Sequence, residues 1–168
     1  MHGDGNDGQG FAQHFLPFAG GAPANVAVAV ARLGGHARFA GMLALDRFGD
    51  FLLHSLQTAG VDTADVARTG EANTALAFVT LDARGERSFS FYRPPSADLL
   101  FRAEHFRAQA FEDATAFHVC SNSLTDPNLA AATLEGMQRA RRAGALVSFD
   151  LNLQIGRASC RERVLVAV

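Results

Sequence analysis

At 168 residues, with 48% apolar and 19% charged side chains and a formal net charge of −2, the chain has the length and balance of one globular domain. That length supports a core without metal or disulfide staples, and the composition argues against long disorder or collagen-like repeats. The near-neutral charge gives no electrostatic footprint for nucleic acid or a membrane surface. All 15 basic residues are arginine, so a P-loop lysine, a Schiff-base lysine and the strand lysine of protein kinases are excluded. Cys120 and Cys160 form no CxxC, which points away from a disulfide framework or zinc knuckle and toward a reducing, cytoplasmic setting. No apolar run reaches membrane-spanning length, and the N-terminus lacks the basic and apolar regions of a signal peptide.

Residues 1–14, rich in Gly, Asp and Asn, read as a flexible leader. Within it Gly3-Asp4-Gly5-Asn6-Asp7-Gly8 satisfies GxGxxG, but no strand precedes it and no helix follows, as a dinucleotide fingerprint requires. Residues 23–33 predict a helix, with Pro23 in its first turn and Gly34-Gly35 at its end; its small apolar side chains predict deep burial. A strand is expected over 37–43, followed by a helix capped by Asp46, with Phe48, Leu52 and Leu56 on one face and Gly60 closing it. Residues 74–93 hold two alternating runs, TALAFVTLD and RSFSFYR, joined by a Gly-containing turn, and predict a hairpin. A strand at 116–120, a helix at 128–143 and a strand at 145–150 then alternate in the manner of a parallel α/β sheet. Residues 154–168, polar and arginine-rich, fit neither template and read as an atypical tail.

Three places could carry chemistry. Gly20 and Gly21 run into a helix N-terminus, where glycines let a ligand approach the backbone, free N–H groups donate, and the Asn25 amide can both donate to and accept from a hydroxyl. The plain alternative is a tight loop with Asn25 capping locally. Arg93, fixed before Pro94-Pro95 at the hairpin exit, can reach over a cleft toward a polyol or phosphate, or can be a solvated edge-strand arginine. Asn122, between two serines, and Asp150 with Asn152 each follow a predicted strand, where open parallel sheets bind ligands; they can equally be turn formers. The histidines show no metal-ligand spacing, so no metal ligand is assigned.

Taken together, GGAPANVAVAVARLGG, AGMLALDRFGDFL, the hairpin ending FYRPPSADLLF, and SFDLN strongly resemble the PfkB (ribokinase-like) carbohydrate kinases, most of all bacterial fructokinases, over residues 15–153. The resemblance implies a three-layer α/β/α domain, truncated here, with a small β-sheet lid that includes the 74–93 hairpin. It implies transfer of the ATP γ-phosphoryl group to a sugar hydroxyl with Mg2+ as the counter-charge. By the same resemblance Gly20, Gly21 and Asn25 match the sugar loop, Arg93 matches a lid residue reaching the sugar, Asn122 joins the substrate contacts, and Asp150 and Asn152 fall in the phosphate and metal region.

The nucleotide site and the GAGD-type segment with its general base have no counterpart here, so no catalytic base is assigned and the chain is expected to be an inactive N-terminal part of such a kinase. Gln154 stands where the family pattern has arginine, and the tail resembles an assembly scar. A homodimer through the lid is a further implication of the resemblance. A non-catalytic sugar-binding or interaction module is the competing expectation.

Overall fold

The structure is a computed structural model that describes residues 2–6, 12–82, 84–93 and 95–151. Its elements run β1 (His2–Asn6), β2 (Ala12–Leu16), α1 (Ala22–Arg32), β3 (Arg38–Ala44), α2 (Arg47–Thr58), β4 (Asp62–Thr69), β5 (Leu76–Leu81), β6 (Arg87–Tyr92), β7 (Ala116–Cys120), α3 (Pro127–Arg142) and β8 (Leu146–Asp150). Short 3-10 turns occupy Ala97–Leu100, Ala103–His105 and Ser121–Leu124.

Two strand–helix–strand units form the body. In each, two parallel strands flank a helix: β3 with β4 around α2, and β7 with β8 around α3. The layering follows from the side-chain alternation of β3. Ala40, Met42 and Ala44 face a cluster built from Phe101, Phe106, Phe111 and the α3 residues Leu129, Ala132 and Ala140, whereas Phe39 faces the opposite cluster of Ala27, Leu56 and Val61 from α1, α2 and the turn after it. Helical and 3-10 segments thus cover both faces of the strands, giving the α/β/α layering that the element order predicts. Among the described residues, the two strand pairs do not join into one hydrogen-bonded ladder. No described helix is long and apolar enough to cross a membrane.

The lid is a four-stranded sheet of order β2-β1-β5-β6. β5 and β6 form the expected antiparallel hairpin, in register from Leu76–Tyr92 to Leu81–Arg87. Inclusion of β1 and β2 corrects the sequence reading, which treats 1–14 as a flexible leader: β1 pairs with β2 over four residue pairs and meets β5 at His2 and Val79. Strand propensity spans only about 1 kcal/mol, so Gly- and Asp-rich backbone can still form a ladder where another strand offers an edge. Gly3 to Asn6, the first four residues of the GxGxxG string, thereby lie in a strand. The 154–168 tail lies outside the described residues.

Two further expectations change. α1 is not deeply buried: Ala24, Ala27, Val28 and Ala31 pack inward, while Val30 and Leu33 on the other face are 39% and 89% exposed. An apolar helix is buried only as far as packed partners surround it, and α1 packs mainly on β3 and β7. β4 had no counterpart in the sequence reading, because a charged residue occupies an inward position. Asp65 is 3% exposed and accepts Arg107 Nε at 2.9 Å, Arg107 Nη2 at 3.2 Å and the Arg107 N–H at 3.3 Å, with Arg38 Nε at 3.7 Å. A buried carboxylate is tolerated when paired and hydrogen-bonded in this way, and here it ties β4 to the segment leading into β7.

Asp46 attaches the lid to the body. Its Oδ1 accepts the Gly49 N–H at 2.6 Å, capping α2, and the Thr74 hydroxyl at 2.7 Å; its Oδ2 accepts the Thr74 N–H at 2.8 Å just before β5. The returning chain is tied alongside, since Ala97 N–H donates to Asn73 O at 2.9 Å. Burial opposes ionisation of Asp46, but the N–H groups of Thr74, Gly49 and Phe48 and the Thr74 hydroxyl outweigh it and hold the carboxyl below the ordinary aspartate range.

Two outcomes are expected. With a folded-state pKa below the unfolded one, the contribution of Asp46 to stability is complete above about pH 4 and is lost as pH falls through the lower folded value. The urea-unfolding free energy of Asp46→Asn should therefore be lower at neutral pH and decline less than that of the unaltered chain between about pH 5 and pH 2.5; parallel declines would contradict the cap. Gly49 packs in the first turn of α2, where a Cβ would collide with the Ala44 carbonyl. Gly49→Ala should cost about 3 kcal/mol in the same assay, and a change under about 0.5 kcal/mol would show that α2 shifts freely on β3.

Candidate functional site

The candidate residues lie at the lid exit, at the carboxyl ends of β7 and β8, and at the N-terminus of α1. At the lid exit, Arg93 directly follows β6, and its guanidinium is fixed by three residues on two segments. Nε donates to Asp98 Oδ2 at 2.9 Å and Nη2 approaches the same oxygen at 2.8 Å; Nη1 donates to Thr125 Oγ1 at 2.9 Å; Nη2 also donates to Asn122 O at 3.2 Å. Arg93 is therefore not the solvated edge arginine of the plain alternative. It spans from the lid to the turn after β7.

That turn is itself ordered by local bonds. Thr125 Oγ1 donates to Asn122 O at 2.9 Å, Thr133 Oγ1 shares its proton between Leu129 O at 2.8 Å and Ser123 O at 3.2 Å, and Asp126 Oδ1 caps α3 by accepting the N–H groups of Asn128 and Leu129. Within it the Asn122 side-chain oxygen is buried and accepts no hydrogen bond from the described residues. Leaving such an acceptor unpaired costs roughly 1–3 kcal/mol, so it favours an incoming donor such as a hydroxyl.

At the ends of the strands, Cys120 and Asp150 are register partners, and the thiol donates to Asp150 Oδ2 at 3.8 Å. Burial and then the adjacent Asp150 charge push the Cys120 thiol upward, so it stays protonated and is no nucleophile. His118 lies on the same side, 3.5 Å from the sulfur through Nε2 and 3.1 Å from Ser148 Oγ through Nδ1. Ser121 Oγ closes the pair by donating to Leu151 O at 2.8 Å. Asn152 lies outside the described residues.

At α1, Gly21 takes φ +118°, a backbone state that favours glycine, and the Asn25 N–H returns to Gly21 O at 2.8 Å. Among the described residues no side chain caps this helix, Asn25 included; it and Gly20 are exposed. The helix packs against β7, whose carboxyl end leads into Asn122.

The structure thus joins Arg93 and Asn122 directly and sets Asp150 beside Cys120, one residue before the Asn122 turn begins. Sequence reasoning missed Asp98 and Thr125, the partners of Arg93, and the second function of Asp46 at Thr74. Asp98 had a local signal, an acidic residue five positions after an arginine. Thr125 and Thr74 had none, because both meet their partners through long-range packing. Among the described residues, no three His, Cys, Asp or Glu side chains converge as metal ligands would.

Comparisons with known proteins bear on the family and the fold. The model of the pfkB family carbohydrate kinases matches residues 6–156. Fructokinase-1 of Zea mays is 50% identical over 143 residues, which are 85% of this chain and 44% of that protein. A crystal structure of fructokinase with bound ATP from Xylella fastidiosa superposes with a TM-score of 0.85 at 58% identity, covering 97% of this chain and 51% of that one. Fructokinase from Vibrio cholerae in its fructose, ADP and calcium ion bound form superposes with a TM-score of 0.74 at 35% identity, covering 91% and 50%. The chain therefore spans about half the length of the relatives it matches. With a family model matching most of its length, a ribokinase-like fold and fructokinases as its relatives, the chain belongs to the pfkB family of carbohydrate kinases.

Proposed function

We propose that the chain supplies the sugar-binding part of a fructokinase-like enzyme that phosphorylates a sugar hydroxyl with ATP. The observation that carries this reading is the contact between Arg93, at the lid exit, and the turn bearing Asn122, whose buried side-chain oxygen has no donor among the described residues. Arg93 offers N–H groups to sugar oxygens, Asn122 accepts from a hydroxyl, and the exposed Asn25 amide does both. Gly20 and Gly21 let the ring approach the backbone. Lid and body together would shield the reacting hydroxyl from water and hold it in line for transfer.

ATP supplies the phosphoryl group and Mg2+ offsets its charge when both are bound. The described residues do not fit a divalent-ion site by themselves, since Asp150 contributes a single carboxylate beside a protonated thiol. The reading accordingly assigns the nucleotide, the metal and the general base to residues outside those described, with Asp150 and Asn152 bordering the phosphate region. The exposed Phe91 and Tyr92 of the lid, each 66% accessible, support the homodimer that the resemblance implies. A cytoplasmic setting accords with a sequence that carries two cysteines and no CxxC.

Calorimetry with D-fructose on the purified chain, beside a coupled ADP-release assay, tests the reading. Fructose should bind, Asn25→Ala should weaken it about fivefold, as expected for one lost hydrogen bond, and the chain alone should release no ADP. A folded chain that ignores fructose would refute the sugar site, and turnover by the chain alone would refute the placement of the base. Binding without turnover even when the relatives' remaining half is supplied in trans would favour the non-catalytic sugar-binding module.

A further inference from the structure

We infer that Asp98, acting with Thr125, is a positioning residue that presents Arg93 to the sugar; this rests on the proposed sugar site. The guanidinium carries five N–H groups. Nε–H goes to Asp98 Oδ2, which Nη2 also approaches as an ion pair at 2.8 Å, while one Nη2–H goes to Asn122 O and one Nη1–H to Thr125 Oγ1. One Nη1–H is left over from these contacts, directed by a plane fixed on both sides.

The anchors are themselves anchored. Ser96 Oγ donates to the other oxygen of Asp98 at 2.6 Å, so both carboxylate oxygens are engaged. The Thr125 hydroxyl gives its only proton to Asn122 O at 2.9 Å, which turns its lone pairs toward Arg93. Asp98 lies in the Ala97–Leu100 turn, where Ala97 is 1% exposed and packs in the main core cluster, so the carboxylate is mounted on rigid structure.

An isolated arginine–aspartate pair at this exposure, 26% and 38%, contributes little to stability. Its consequence here is geometric: a long, rotatable side chain is held in one pose between the lid and the body. Side chains fixed by a second layer of bonds bind with less ordering cost at the moment of recognition.

The test uses the whole 168-residue chain. Asp98→Asn keeps the shape and removes the charge; Thr125→Val removes the acceptor at an exposed position, so that one variant is available should the other misfold. D-fructose affinity is measured by calorimetry, and the Arg93 Nε–H resonance, assigned through Arg93→Lys, is followed by NMR. Each variant should bind fructose at least about fivefold more weakly, the Nε–H of Arg93 should lose its protection from exchange in Asp98→Asn, and Asp98→Asn should add nothing in the Arg93→Lys background.

Unchanged affinity in Asp98→Asn and Thr125→Val, or equal weakening with and without Arg93, would overturn the inference while leaving the sugar site standing. If the unaltered chain does not bind fructose although the Arg93 Nε–H is protected, the sugar reading fails and the positioning role falls with it.

Discussion

The carboxylate of Asp46 is the constraint on which the placement of the lid depends. One side chain closes the first turn of α2, and by also accepting both the N–H and the hydroxyl of Thr74 it fixes where the lid leaves the body. The bond from Ala97 N–H to Asn73 O brings the returning chain back beside the outgoing one. A two-stranded ribbon is marginal on its own in water, so a lid of this kind needs its root held and further strands added. Both conditions are met, the second by β1 and β2. With the root fixed, the hairpin delivers Arg93 to one place over the turn after β7.

Arg93 is the second point at which lid and body meet. Its contacts to Asp98, Thr125 and Asn122 come from the chain after the lid and from the carboxyl end of a parallel strand, the region where open α/β sheets bind ligands. The buried side-chain oxygen of Asn122, which has no donor among the described residues, lies in the same turn. A fixed cationic donor beside an acceptor lacking a donor is complementary to a polyhydroxyl ligand, since each sugar hydroxyl can give one hydrogen bond and take another. Membership of the pfkB carbohydrate kinases, established over residues 6–156, is consistent with that chemistry.

Much of this was legible in the sequence. The limits of α1, α2 and α3 follow from Pro23, Asp46 and the glycines after each helix; the hairpin follows from strict alternation, and β7 and β8 from short apolar runs. What escaped was structure made by partners distant in sequence. β4 was hidden because its inward position is Asp65, which reads as solvent-facing until Arg107 is brought 42 residues back to meet it. β1 was hidden because a Gly- and Asp-rich segment becomes a strand only when another edge is offered to it. The candidate residues Gly20, Gly21, Asn25, Arg93 and Asn122 could be singled out by type and place, whereas Asp98 and Thr125 could not, since only the folded chain shows which arginine they hold.

The central claim, that lid and body residues form one sugar site, is tested most directly by titrating D-fructose into the 15N-labelled chain and mapping the backbone and side-chain N–H shifts. The account predicts saturable changes at Gly20, Gly21, Asn25, Asn122 and the Arg93 side chain, all following a single binding curve. A well-dispersed spectrum in which those residues stay unmoved, or in which the α1 turn and Arg93 respond with different affinities, would contradict it.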